Sequence, residues 1–120
     1  MDGFALVPLP DTTPPTVKFS GNGDTAAVVP LTRFLRELHD NLVGTNCTEV
    51  HIDMVDLYFM NSSCVRTLAS WIHTVKTKGV PYRVHVKTNS RQSWQRRSLE
   101  PIKRLAPSVV VLSEDEAEIP

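Results

Sequence analysis

A chain of 120 residues with 41% hydrophobic side chains has enough apolar surface for the core of one domain and too little for two. Its two cysteines, Cys47 and Cys64, exclude a disulfide framework, and neither stands at metal-ligand spacing from a histidine or another cysteine, so free thiols and no metal or cofactor are expected. The formal net charge is zero, no apolar run approaches the roughly 20 residues of a membrane helix, and the N-terminus lacks a signal-peptide pattern, so the expected location is the cytoplasm.

Residues 1–15 carry four prolines (Pro8, Pro10, Pro14, Pro15), which give no backbone donor, and predict a flexible arm with at most a short edge strand at 4–7. Val17 and Phe19 flank Lys18 with strand periodicity over 16–20, and Gly21-Asn22-Gly23-Asp24 has the composition of a turn. Residues 25–29 fit either a second short strand or a lead-in to a helix. From Pro30, Leu31, Phe34, Leu35, Leu38 and Leu42 recur at helical spacing, with Gly44 placed to cap the end. Val50, Ile52 and Met54 then alternate with His51 and Asp53, and the apolar stretch 57–60 continues this strand into Asn61-Ser62-Ser63.

At the serines the period changes to helical: Cys64, Val65, Leu68, Ala69, Trp71, Ile72 and Val75 share one broad face, and Gly79 and Pro81 end the run. Residues 82–87 alternate Tyr82, Val84 and Val86 against Arg83, His85 and Lys87 as a strand with one wet face. Residues 90–106 are helical around Trp94, Leu99, Ile102 and Leu105, with Pro101 either kinking one helix or opening another. Val109 to Leu112 read as a buried strand, and 114–120 as an acidic tail. Strands alternating with helices predict an α/β domain over 16–113, built on a mainly parallel, mixed sheet of four to five strands with helices packed on it.

The chemistry gathers where the strand at 57–60 meets the helix. The first helical N–H groups have no intrahelical partner, and Asn61, Ser62 and Ser63 can each accept from them. One cap needs one residue, so two polar side chains are in surplus. A phosphate on a serine there would carry about −1.5 to −2 charge against the positive end of the helix dipole, switching the surface while keeping the fold.

The arrangement Val50-His51-Ile52-Asp53-Met54, then Leu57-Tyr58-Phe59-Met60-Asn61-Ser62-Ser63, then an amphipathic helix, resembles the STAS family, the sulphate transporter and anti-sigma factor antagonist domains. Trp71-Ile72 behind it, and Trp94-Gln95 followed by Ser98-Leu99, are similar to a bacterial branch of single-domain STAS-like regulators. The resemblance spans about residues 16–113 and is specific at the Asn-Ser-Ser and Trp-Gln segments. It implies an anti-sigma factor antagonist-like regulator of a partner-switching pathway. Its phosphorylation site would be Ser62, with Ser63 as second choice, and Asn61, Ser62, Ser63 and Cys64 would meet the partners. Those would be a serine kinase with a histidine-kinase-like ATPase fold and a PP2C-type phosphatase. Asn61 stands where the general family has Asp, and Cys64 where it has Gly.

Other readings compete. An enzyme would pair Ser62 or Cys64 with His51, His73 or His85, yet no Gly-x-Ser-x-Gly elbow or Cys-His signature is present, and no catalytic residue is assigned. The four histidines fall on separate elements, and Cys64 lies in the apolar stripe as a packed thiol. Residues 61–113 hold ten basic residues against Glu100 alone, including Arg91, Arg96, Arg97, Lys103 and Arg104 around Trp94, but no nucleic-acid recognition signature accompanies them. A constitutive interaction scaffold of the same fold, never phosphorylated, is the remaining alternative.

Overall fold

The computed structural model describes residues 3–114. Among these residues, six strands and three α-helices follow one another: β1 (Ala5–Pro8), β2 (Thr16–Gly23), α1 (Val28–Gly44), β3 (Glu49–Asp53), β4 (Leu57–Met60), α2 (Ser62–Thr77), β5 (Arg83–Thr88), α3 (Ser93–Leu105) and β6 (Val110–Glu114). The strands form one mixed sheet in the order β1-β2-β3-β5-β6, parallel except for the antiparallel β1 edge, with β4 also paired to β2. The α/β class is thus as the sequence predicts, with one strand beyond the upper count. Residues 115–120, which make up nearly all of the acidic tail, lie outside the described residues.

The extra strand arises inside the stretch 49–60. Met54 to Asp56 turn the chain, held by Leu57 N–H donating to the Met54 carbonyl at 3.0 Å, so that β3 and β4 both lie on one edge of β2. β3 takes the first half of β2 (Val17 opposite Ile52), and β4 takes the second half (Gly23 opposite Met60). Gly21-Asn22-Gly23 is therefore not a turn. It is the end of a strand with a register shift between Gly21 and Asn22. Gly21 has φ +86°, and a Cβ there would stand 1.7 Å from the Gly3 carbonyl oxygen, so only glycine fits both the bulge and the approach of the chain before β1.

Helix α1 begins at Val28, two residues before Pro30, after a single 3-10 turn (Thr25–Ala27) in which the Ala26 N–H donates to the Asp24 carboxylate and the Ala27 N–H to the Asp24 backbone carbonyl. It ends past Gly44. Asn46 takes the left-handed conformation (φ +56°), and the Cys47 and Asn46 N–H groups reach back to the Leu42 and Val43 carbonyls at 3.0 and 3.2 Å. Asparagine tolerates that conformation and replaces the expected glycine cap. Pro101 lies within one continuous α3, on its exposed side, so the proline opens no second helix.

Leu31, Leu35 and Leu42 of α1, and Leu68, Trp71, Ile72 and Val75 of α2, bury against Val17, Phe19, Val50, Ile52, Val84 and Val86 of the sheet. At about 25 cal/mol per Å² of apolar area removed from water, this shared face is what holds the two layers together. The alternate strand residues, Lys18, Glu49, His51, Asp53, His85 and Lys87, are left half-buried or exposed on the sheet's other face. Two polar residues, Thr88 and Gln95, are buried in the core.

Candidate functional site

The parallel strands β2 and β4 end side by side at Gly23 and Met60, and α2 starts directly beyond. In an open α/β sheet this carboxyl edge is where ligands are usually met. Asn61 organises it. Its backbone N–H donates to the Gly23 carbonyl at 2.8 Å, its Oδ1 accepts from the Cys64 N–H at 2.9 Å, and its Nδ2 donates to Thr25 Oγ1 at 3.1 Å. One side chain thereby caps α2 and ties it to the entry of α1.

With the cap filled by Asn61, Ser62 is the first helical residue and is exposed. Ser63, next to it, is half-buried, and its carbonyl accepts from the Thr67 hydroxyl at 3.0 Å. Arg66 stands exposed one turn beyond Ser62, on the same side of the helix.

Cys64 turns the other way, into the core. Its thiol points at the Asp24 carbonyl, 3.5 Å away, and burial pushes its pKa up, with the Asp24 charge adding to the effect. A helix N-terminus alone would pull the thiol pKa down; removal from water wins here. Of the four predicted contact residues, Asn61, Ser62 and Ser63 present atoms to this edge, whereas Cys64 lies beneath it as packing.

Two large side chains precede the serines on β4. Tyr58 and Phe59 are each 48% exposed, while Leu57 and Met60 are buried. Helix α3 meets β4 at Leu57. The covering contact is Gln95, wholly buried, whose Nε2 donates to the Met54 and Leu57 carbonyls at 2.7 and 2.9 Å while its Oε1 accepts from the Asn89 N–H at 2.7 Å. Asn89 adds a bond to the Val55 carbonyl at 3.0 Å. The turn that aims β4 at the serines is thus held by two amide side chains. The Trp94-Gln95 pair stood out in the sequence, but nothing local indicated that its glutamine is the buried member.

Among the described residues no hydrogen bond joins Ser62 or Cys64 to a histidine. His39 Nδ1 instead meets the buried Tyr82 hydroxyl at 2.7 Å, and that hydroxyl also accepts from Trp71 Nε1 at 2.9 Å. His51 and His85, far apart in sequence, stack at 4.7 Å on the uncovered face of the sheet and share the Glu49 carboxylate. The basic residues of α3 are partly engaged within the fold: Arg96 pairs with Glu114 at 2.9 Å, and Arg97 donates to Ser93 Oγ at 3.3 Å. Among the described residues, no helix is long and apolar enough to cross a membrane. In comparison with known proteins, no family model matches the chain and no curated protein matches its sequence.

Proposed function

We propose that the chain is a non-enzymatic bacterial regulator of the partner-switching type, STAS-like in fold and cytoplasmic, that binds proteins through the edge around Asn61, Ser62 and Ser63. Phosphorylation of Ser62 is its switch. The observation that carries this is the division of labour at α2: Asn61 alone makes the cap, which leaves the Ser62 hydroxyl exposed at the positive end of the helix.

In the switch, the Ser62 oxygen takes the γ-phosphoryl group of ATP and gives up its proton as ADP leaves. A kinase with a histidine-kinase-like ATPase fold does this, and a PP2C-type phosphatase returns the hydroxyl by hydrolysis. The phosphate adds about −1.5 to −2 charge without disturbing the cap, and Arg66 lies within reach to pair with it. On the strand that leads to it, the exposed Tyr58 and Phe59 offer the aromatic anchors on which protein contacts concentrate their energy. A charge placed in such a contact changes affinity without refolding either partner.

Two measurements test the switch. Mass spectrometry of the chain isolated from its own cells is expected to find phosphate on Ser62. Affinities of a captured partner for Ser62→Ala and Ser62→Asp are expected to differ by at least about tenfold, the effect of removing a modest interface contact. Absence of phosphate from both Ser62 and Ser63 across growth conditions overturns the switch and leaves a constitutive scaffold; equal affinities overturn it as well.

A further inference from the structure

We propose that Glu49, His51 and His85 form a binding site for a borderline divalent transition-metal ion, with zinc as the type, on the uncovered face of the sheet. The site follows from strand geometry. Glu49 and His51 are two residues apart on β3, so both side chains leave the same face, and the parallel register sets His51 directly opposite His85 on β5. Residues 34 positions apart in sequence are thereby neighbours, and the covering helices lie on the other side.

The donor atoms are already at coordination spacing. Glu49 Oε1 is 3.0 Å from His51 Nε2 and 3.3 Å from His85 Nε2, and one ligand atom from each of the three residues falls within 4.8 Å of the other two. Metal–ligand bonds of about 2.0–2.2 Å in a tetrahedron separate neighbouring ligands by about 3.3 Å. Two imidazoles and one carboxylate are a set that zinc accepts while keeping a fourth position for water, whereas calcium and magnesium prefer all-oxygen surroundings.

The stacked rings, 18° from parallel, do not yet point their lone pairs at one spot, so each must turn about its Cβ–Cγ bond. Packing does not prevent this: the side chains of Glu49, His51 and His85 are 45%, 41% and 29% exposed. Arg83, opposite Glu49 in the register, is exposed and free to swing away as the cation enters. Around the trio, Thr16 and Val111 flank the two histidines and add no competing charge.

Calorimetric titration of the full-length chain with zinc chloride, under a non-thiol reductant and in a Cys47→Ser background, tests the site. One zinc per chain is expected, with shifts of the His51 and His85 ring resonances in the NMR spectrum. His51→Asn or His85→Asn alone should weaken binding at least about tenfold, since even outer-shell changes at zinc sites cost 10–100-fold. Absence of saturable binding overturns the proposal, and so does zinc binding that leaves both histidine rings unshifted. If His51→Asn/His85→Asn misfolds by circular dichroism, the ring shifts in the unmutated histidine pair still decide the question.

Discussion

The side-chain amide of Gln95, on the third helix, donates to the backbone carbonyl of Leu57, on the four-residue strand β4, at 2.9 Å and without any exposure to water. Because the same amide also holds Met54 and Asn89, α3 fixes the direction in which β4 delivers Tyr58, Phe59 and the serines. The site is positioned by a residue that has no part in its surface.

Gln95→Leu conserves volume roughly but takes the Gln95 amide from the Met54 and Leu57 carbonyls and its carbonyl from the Asn89 N–H; the Met54 carbonyl keeps its bond from the Leu57 N–H. A buried group that loses its partner costs about 1–3 kcal/mol, so a total loss of roughly 2–4 kcal/mol is expected. Urea unfolding monitored by circular dichroism reads this directly, and a loss below about 1 kcal/mol would contradict the arrangement.

Asn61→Ala removes the α2 cap and the bond to Thr25, and should lower stability by about 1–2 kcal/mol. Asn61→Asp keeps the acceptor and should retain most of the difference. Ser62→Ala, by contrast, is expected to stay within about 0.5 kcal/mol of the parent, as an exposed substitution outside the cap does. If Ser62→Ala proves as costly as Asn61→Ala, the cap is shared and the hydroxyl is not spare.

Cys64 is wholly buried with its pKa raised by burial, while Cys47 is partly exposed. In the folded chain an aromatic disulfide reagent should therefore modify Cys47 alone, and Cys64 should react only once denaturant opens the core. Rapid modification of both thiols under native conditions would place Cys64 at the surface.

Burial holds the Tyr82 hydroxyl at a pKa of about 12, against an ordinary 10.0, with the Trp71 bond opposing only part of the effect. The folded state thus keeps a proton that the unfolded state releases first. The contribution is present in full below about pH 10 and is lost as pH rises toward 12, by roughly 2–3 kcal/mol in total. Urea midpoints measured in steps across that window should fall more steeply for the parent than for Tyr82→Phe. Parallel pH profiles would show that the hydroxyl is not buried.

Both amphipathic helices around the site were legible in the sequence, because a 3.6-residue apolar period survives whatever the helix packs against: Leu31, Leu35 and Leu42 in one, Leu68, Trp71, Ile72 and Val75 in the other. The alternation through Val50, Ile52, Val84 and Val86 likewise marked two strands with one wet face. So did the change of period at Ser62, which placed the start of α2 correctly.

What the chain order could not decide was pairing. Gly21-Asn22-Gly23 has turn composition, and only β4 lying alongside makes it a strand; three residues at 61–63 could each cap α2, and only Thr25, brought in from the α1 entry, selects Asn61. The same holds for Gln95, buried by a turn about 40 positions away, and for His51 beside His85. Local periodicity is set by backbone geometry and is written in neighbouring residues. Which spare hydrogen-bonding group finds a partner is settled by strand register, and register is fixed only when distant segments bury their apolar faces together.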